Sequence, residues 1–216
     1  YEYQFNTLTV TDGTYNVTAT SYDLSGKNRS SSAVSFRVDN LAPELAVVGL
    51  QTGDYVSGII SFSVNVSDAF LKDVMYSIDG GEWVNTTQAW NTSQILDGSH
   101  EVILRARDMA GHTTTQTLNL IVDNNVPVCS VNSPVEDEYI EGSYTFRLSA
   151  SDSVGIDKVY LHLFGSNFTA TFSGSSGYYE FTTDTSIRTD GNYSCRAITY
   201  DLSGKMTESS PINFKI

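Results

Sequence analysis

Apolar and polar residues alternate along this chain in short stretches, and the stretch that alternates most cleanly occurs three times. It follows an Asp-Gly pair. Tyr15, Val17 and Ala19 share one parity in the first copy, His100, Val102, Leu104 and Ala106 in the second, and Tyr193, Cys195, Ala197 and Thr199 in the third. A period of two over this length predicts a strand with one face turned to a core. Each stretch runs into Asp-x-x-Gly (Asp23 to Gly26, Asp108 to Gly111, Asp201 to Gly204), a turn signature because glycine accepts positive φ. A last strand is predicted over 34–39, 117–123 and 212–216. The Asp-Gly glycines stand at 13, 98 and 191, so the pattern recurs after 85 and then 93 residues. A fixed period of this size signifies tandem copies of one domain.

Two copies are whole, and each starts after a proline, Pro43 or Pro127. A first strand is predicted over 45–48 and 129–131, followed by a loop that ends at Gly58 or Gly142. A second strand alternates through Ile60, Phe62, Val64 and Val66, or through Tyr144, Phe146, Leu148 and Ala150, and ends at Asp68 or Asp152. A third follows over 74–78 and 158–164, and Asp79-Gly80-Gly81 reads as a tight hairpin turn. The first copy lacks the front half of this pattern. The expected organisation is therefore the C-terminal strands of a partial domain over 1–40 (about 1–5, 15–22 and 34–39), then whole domains over 41–124 and 125–216. Three strands cannot close a sandwich. The inward side chains of the first copy are expected to face water unless upstream sequence or a neighbouring molecule covers them.

Seven or so short strands in each repeat, with turns at regular spacing, predict an all-β fold of tandem immunoglobulin-like β-sandwiches, the first one partial. Asp190-Gly191-Asn192-Tyr193-Ser194-Cys195 places a tyrosine two residues before a cysteine, the spacing of a tyrosine corner at the start of strand F. Tyr15 holds that place in the first copy and His100 in the second, where it reads as a structural substitute. The pattern carried by Asp97, Gly98, Ala106, Asp108, Gly111, Val122, Asp123, Asn124 and Pro127 resembles the tandem immunoglobulin-like repeats of archaeal and bacterial cell-surface proteins of the S-layer or adhesin type. The resemblance covers the whole chain and implies architecture more strongly than function.

Composition narrows the function classes. With 25 acidic and 12 basic residues the net charge is −13, which argues against nucleic acid as a partner, since phosphates require a basic face. No apolar run is long enough for a transmembrane helix. No nucleophile–base–orienter set is visible. His100, His112 and His162 are scattered, Gly-x-Ser-x-Gly and His-Glu-x-x-His are absent, and Gly174 to Gly177 reads as a hairpin loop.

Three groups of residues remain as candidate sites. The two cysteines allow free thiols, a metal pair or a disulfide. Aligned on the second copy, Cys129 replaces Leu45 and Cys195 replaces Val102, both inward positions on opposite sheets, so a disulfide between Cys129 and Cys195 is expected, and with it an oxidising compartment. Seven Asn-x-Ser/Thr acceptor sites occur, at Asn16, Asn28, Asn65, Asn85, Asn91, Asn167 and Asn192; Asn16, Asn65 and Asn192 have outward parity, so they can carry a glycan. Calcium is the one candidate cofactor. Asp39-Asn40 and Asp123-Asn124, each shortly before a proline, mark both junctions and are similar to the cadherin linkers that calcium stiffens, with carboxylate and amide oxygens suited to that ion. The expected function is a non-catalytic extracellular structural protein, a rod of spacer domains in a cell-surface layer, filament or stalk. Its expected partners are like subunits or neighbouring domains of one long chain, and surface glycans or proteins. The alternatives are a surface adhesion module and the accessory domains of a secreted hydrolase.

Overall fold

The computed structural model describes residues 1–216, which divide into two compact units. The first comprises Tyr1–Asp54, Ile60–Trp90 and His100–Leu120; the second comprises Tyr55–Ile59, Asn91–Ser99 and Ile121–Ile216. Apart from one short 3-10 turn at Thr7–Thr9, the regular structure is all strand. No helix is long and apolar enough to cross a membrane.

The alternating stretches become strands whose inward residues are buried as their parity demands. In the first unit, Leu71–Ile78 pairs antiparallel with Gly98–Asp108, setting Val102 opposite Ile78 and Leu104 opposite Tyr76. Val102, Leu104, Ala106 and Leu120 are fully buried, with Phe62, Tyr76 and Trp90 packed beside them. Ring centroids of Phe62 and Tyr76 lie 4.7 Å apart, and Phe62 stacks on Trp90 at 6.4 Å. Asp79 and Gly80 both take positive φ (50° and 71°), and the Gly81 amide donates to the Ile78 carbonyl at 2.8 Å. That is the primed hairpin geometry which Asp-Gly favours.

The partial repeat lies in the same unit. Gly13–Val17 pairs with Val34–Val38, and Thr20–Tyr22 with Asn28–Ser30. The single strand expected over 15–22 is thus two strands, broken where the partner changes. The strand expected over 1–5 is absent: the Asn6 side chain accepts from the Leu8 amide and caps the Thr7–Thr9 turn instead. Tyr15 packs against Phe36 at 6.0 Å, yet the cross-strand pair Val17 and Val34 stands 53% and 62% exposed. The inward face of this copy is open at that pair, because its four short strands form two separate two-stranded ladders and not a closed sandwich.

The second unit holds a complete two-sheet sandwich. One sheet runs Val128–Ser133, Ser143–Ser151, Tyr178–Asp184, Thr171–Ser173. The other runs Glu138–Tyr139, Ile212–Lys215, Asn192–Asp201, Ile156–Leu163, Ser166–Thr169, with Met206–Glu208 also on Asn192–Asp201. Every long pairing is antiparallel; the short strand Glu138–Tyr139 joins Ile212–Lys215 in parallel. Phe146, Leu148, Leu161, Leu163, Ala197 and Phe214 form the buried centre. Phe146 meets Phe214 edge-on at 5.8 Å and Tyr144 at 5.2 Å.

The tyrosine corner forms where its spacing predicts. The Tyr193 hydroxyl donates to the Thr189 carbonyl at 2.8 Å, and Tyr15 repeats this with Thr11 at 2.6 Å. In the middle copy His100 instead places Nδ1 2.6 Å from the Asp79 carboxylate. Tyr193→Phe removes the hydroxyl's hydrogen bonds to the Thr189 carbonyl and hydroxyl and no packing, so urea denaturation should show a loss of about 1 kcal/mol. A loss near zero would mean that the corner contributes nothing to stability.

Candidate functional site

The repeated aspartates have different tasks, and the structure separates them. The Asp-Gly aspartates fasten the linker at the end of their own repeat. Asp12 accepts from the Asn40 amide at 2.7 Å and the Leu41 amide at 3.2 Å. Asp97 accepts from the Asn124 amide at 2.8 Å, the Asn125 side chain at 2.6 Å and the Ser153 hydroxyl at 2.7 Å. Burial pushes the Asp97 carboxyl up, but these donors outweigh it and hold the group below its ordinary range. The asparagines expected as ligands serve the same clamp. The Asn40 side-chain Nδ2 donates to the Thr7 carbonyl, and that of Asn124 to the Thr92 and Ile95 carbonyls.

The Asp-x-x-Gly aspartates fold their own turns. Asp201 Oδ1 accepts from the Ser203 hydroxyl and the Lys205 amide, while Gly204 takes φ of +90°, a conformation that would strain any side chain there. Asp23 binds Ser25 and Lys27 in the same way. Asp108 accepts from the Gly111 and His112 amides and pairs with His112 Nδ1 at 2.8 Å. Asp68 and Asp152 cap the loops after their strands, accepting from the Phe70 amide at 2.7 Å and the Val154 amide at 2.8 Å.

The linker aspartates are different. Asp39 has both carboxylate oxygens shut off from solvent and no hydrogen-bond partner for either. Burial first, and then the charges of Asp108, Asp68 and Asp12, push its carboxyl above the ordinary range. Asp39, Asp108 and His112 bring their ligand atoms within 4.8 Å of one another. Asp123, Asp152 and Asp201 do the same in the second unit. Asp123 and Asp201 are 0% and 1% exposed, and the Oδ2 of each is buried without a partner. A carboxylate held out of water without compensation is costly, and clustered oxygen donors fit a hard cation such as calcium. Of the linker aspartates expected as ligands, Asp39 falls in the first cluster and Asp123 in the second, and Asp68 lies near enough to Asp39 for its charge to be felt. Sequence reasoning missed Asp108 and Asp201 as members. The signal was the basic residue after each turn glycine: Lys27, His112 and Lys205.

The cysteines correct an expectation. Both are inward as aligned, with Cys195 buried and Cys129 half-buried, but both are free thiols. Cys129 Sγ lies 3.8 Å from the Ala197 carbonyl and 3.6 Å from the Thr207 carbonyl, so it faces the strand two residues beyond Cys195. Two residues along a strand amount to about 7 Å. Inward parity was right and the register between the facing sheets was not. Burial pushes the Cys195 thiol up to about 12 and raises that of Cys129 as well. At mildly alkaline pH the folded chain should leave Cys195 unlabelled by iodoacetamide, and denaturation without reductant should label both. Mass spectrometry that finds neither labelled after denaturation would restore the disulfide.

The acceptor asparagines Asn16, Asn28, Asn65, Asn91, Asn167 and Asn192 are exposed; Asn85 is half-buried and caps Thr87.

Residues 127–197 match the family described as Bacterial Ig domain, and residues 1–81 match Bacterial Ig-like domain (group 3). The repeats are immunoglobulin-like β-sandwiches, the first one partial. Bacillopeptidase F of Bacillus subtilis is 25% identical over 150 residues, 68% of this chain but 10% of that protein. The chain thus spans about a tenth of that relative's length. Among solved structures, the fibronectin(III)-like modules of CbhA from Clostridium thermocellum align at 18% identity and a TM-score of 0.43, over 80% of this chain and 93% of theirs. A Ca2+-stabilized adhesin with which an Antarctic bacterium binds ice aligns at 16% identity and a TM-score of 0.36, over 94% of this chain and 55% of that one.

Proposed function

We propose that this chain is a non-catalytic, extracellular structural segment, three immunoglobulin-like repeats divided near 40/41 and 124/125 that act as spacers in a cell-surface layer, filament or stalk. A divalent cation, calcium by its oxygen donors, is bound at the first junction by Asp39 and Asp108, with Asp68 adding negative charge. When bound, the ion supplies charge compensation and crosslinks the linker to the Asp108 turn of the repeat that follows it. The observation that carries this reading is the Asp39 carboxylate, buried without a partner where Asp12 fastens the linker. A linker held at two points suits a spacer, because it fixes the path of the chain from one repeat to the next. The net charge of −13 and the six exposed glycan acceptors suit a hydrated outer surface. Like copies and surface glycans or proteins are the partners in this reading.

Negative-stain imaging of native cells and shed material tests the structural role, with periodic layers or fibres expected. Isolated monomers without attachment to a surface would overturn it. Mass spectrometry of the same material should find hexose or HexNAc on the exposed acceptor asparagines. A second reading is favoured by the match to part of a peptidase: these repeats are accessory domains of a larger secreted hydrolase. A catalytic domain in the same reading frame would decide for it.

A further inference from the structure

The residue after the turn glycine is basic in all three copies, but it does not do the same thing in each. The Lys205 side chain folds back toward the linker aspartate. Its Nζ lies 2.6 Å from the Asp123 carbonyl oxygen, 3.0 Å from the Ser203 hydroxyl and 3.1 Å from Asp123 Oδ1, the last an ion pair rather than an aligned hydrogen bond. A main-chain carbonyl, a hydroxyl and a carboxylate are the oxygen donors that a hard cation gathers. An ammonium has three protons and can serve all three. The surroundings demand positive charge, for Asp123, Asp152 and Asp201 converge there, and the Oδ2 atoms of Asp123 and Asp201 are buried without a hydrogen-bond partner. At the first junction the corresponding residue is His112. Its ring is spent on Asp108 Oδ2, and both oxygens of Asp39 stay unpartnered.

We propose that Lys205 is a tethered cation: its ammonium occupies at the second junction the position that a divalent cation takes at the first. The inference rests on the reading of the first cluster as a cation site and adds what distinguishes the two junctions. A charge carried on the chain is present at every calcium concentration and loses no translational freedom on binding. A free ion entering the same pocket would stand a few ångströms from the ammonium, where like charges repel strongly in a dry site. One junction would then be set by the calcium of the surroundings and the other fixed by the sequence.

Calcium titration of the full chain by calorimetry tests this through stoichiometry. The expected counts are one ion for the native chain, two for Lys205→Met and none for His112→Lys, which supplies the ammonium at the first junction. In EDTA, Lys205→Met should unfold at a markedly lower temperature than the native chain and recover when calcium is added. If it folds only with calcium, its count is taken after refolding in calcium, and His112→Lys gives an independent answer. Two ions in the native chain, or one ion in all three proteins, would overturn the role of Lys205 and leave the first cluster standing as a cation site. No calcium bound by any of the three would overturn the cation reading itself.

Discussion

Truncation of Phe146 to alanine is expected to destabilise the third repeat by about 3–5 kcal/mol. The side chain is fully buried between Tyr144 and Phe214, and Phe214 in turn stacks on the corner residue Tyr193 at 6.0 Å. The position sits on Ser143–Ser151 opposite Phe181, so the deletion opens a cavity where the two sheets meet and the backbone ladder resists collapse. Domains of this size have only about 5–15 kcal/mol to lose, so a large share of the stability goes. The expected signature is a fall in the urea midpoint at unchanged slope. A shift below about 1 kcal/mol would mean that this cluster is not the centre of the core.

Asp39→Asn has the opposite sign without metal. The carboxylate is buried, lacks a partner and sits among the charges of Asp108, Asp68 and Asp12. Removal of its charge in EDTA should stabilise the first unit by about 1–3 kcal/mol, the cost of an unsatisfied buried polar group. In calcium the order should reverse, because the native chain gains the binding energy and the variant does not. Thermal unfolding of both proteins in both buffers measures the reversal. A variant less stable than the native chain in EDTA would show that Asp39 is already compensated within the protein.

Much of this was legible in the sequence, and what was not has a physical cause. Parity identified the core of the strands because a period of two leaves no freedom: Val102, Leu104, Ala106, Cys195 and Ala197 are buried as their spacing requires. The tyrosine corner was legible because it is local, with hydroxyl and acceptor four residues apart. The Cys129–Cys195 bridge failed because it depends on the register between two sheets that no backbone ladder connects, and a slip of one inward position separates the thiols. The site was half legible. Asp39 and Asp123 were visible as linker residues, but Asn40 and Asn124 turned out to fasten the linker. The turn aspartates Asp108 and Asp201 had an evident local task in folding Asp-x-x-Gly, which concealed that each also stands beside a linker aspartate. A basic residue follows the turn glycine in each copy (Lys27, His112, Lys205), but only the fold shows that Lys205 reaches Asp123 while His112 stops at Asp108.

Calorimetric titration of the native chain beside Asp39→Asn shows whether Asp39 and Asp108 hold a calcium ion at the first junction. One calcium per native chain is expected, at an affinity in the range of extracellular modules (Kd of about 10⁻⁴–10⁻³ M), and none in the variant. No heat from the native chain, equal binding by the two proteins, or a response to zinc in place of calcium would contradict it.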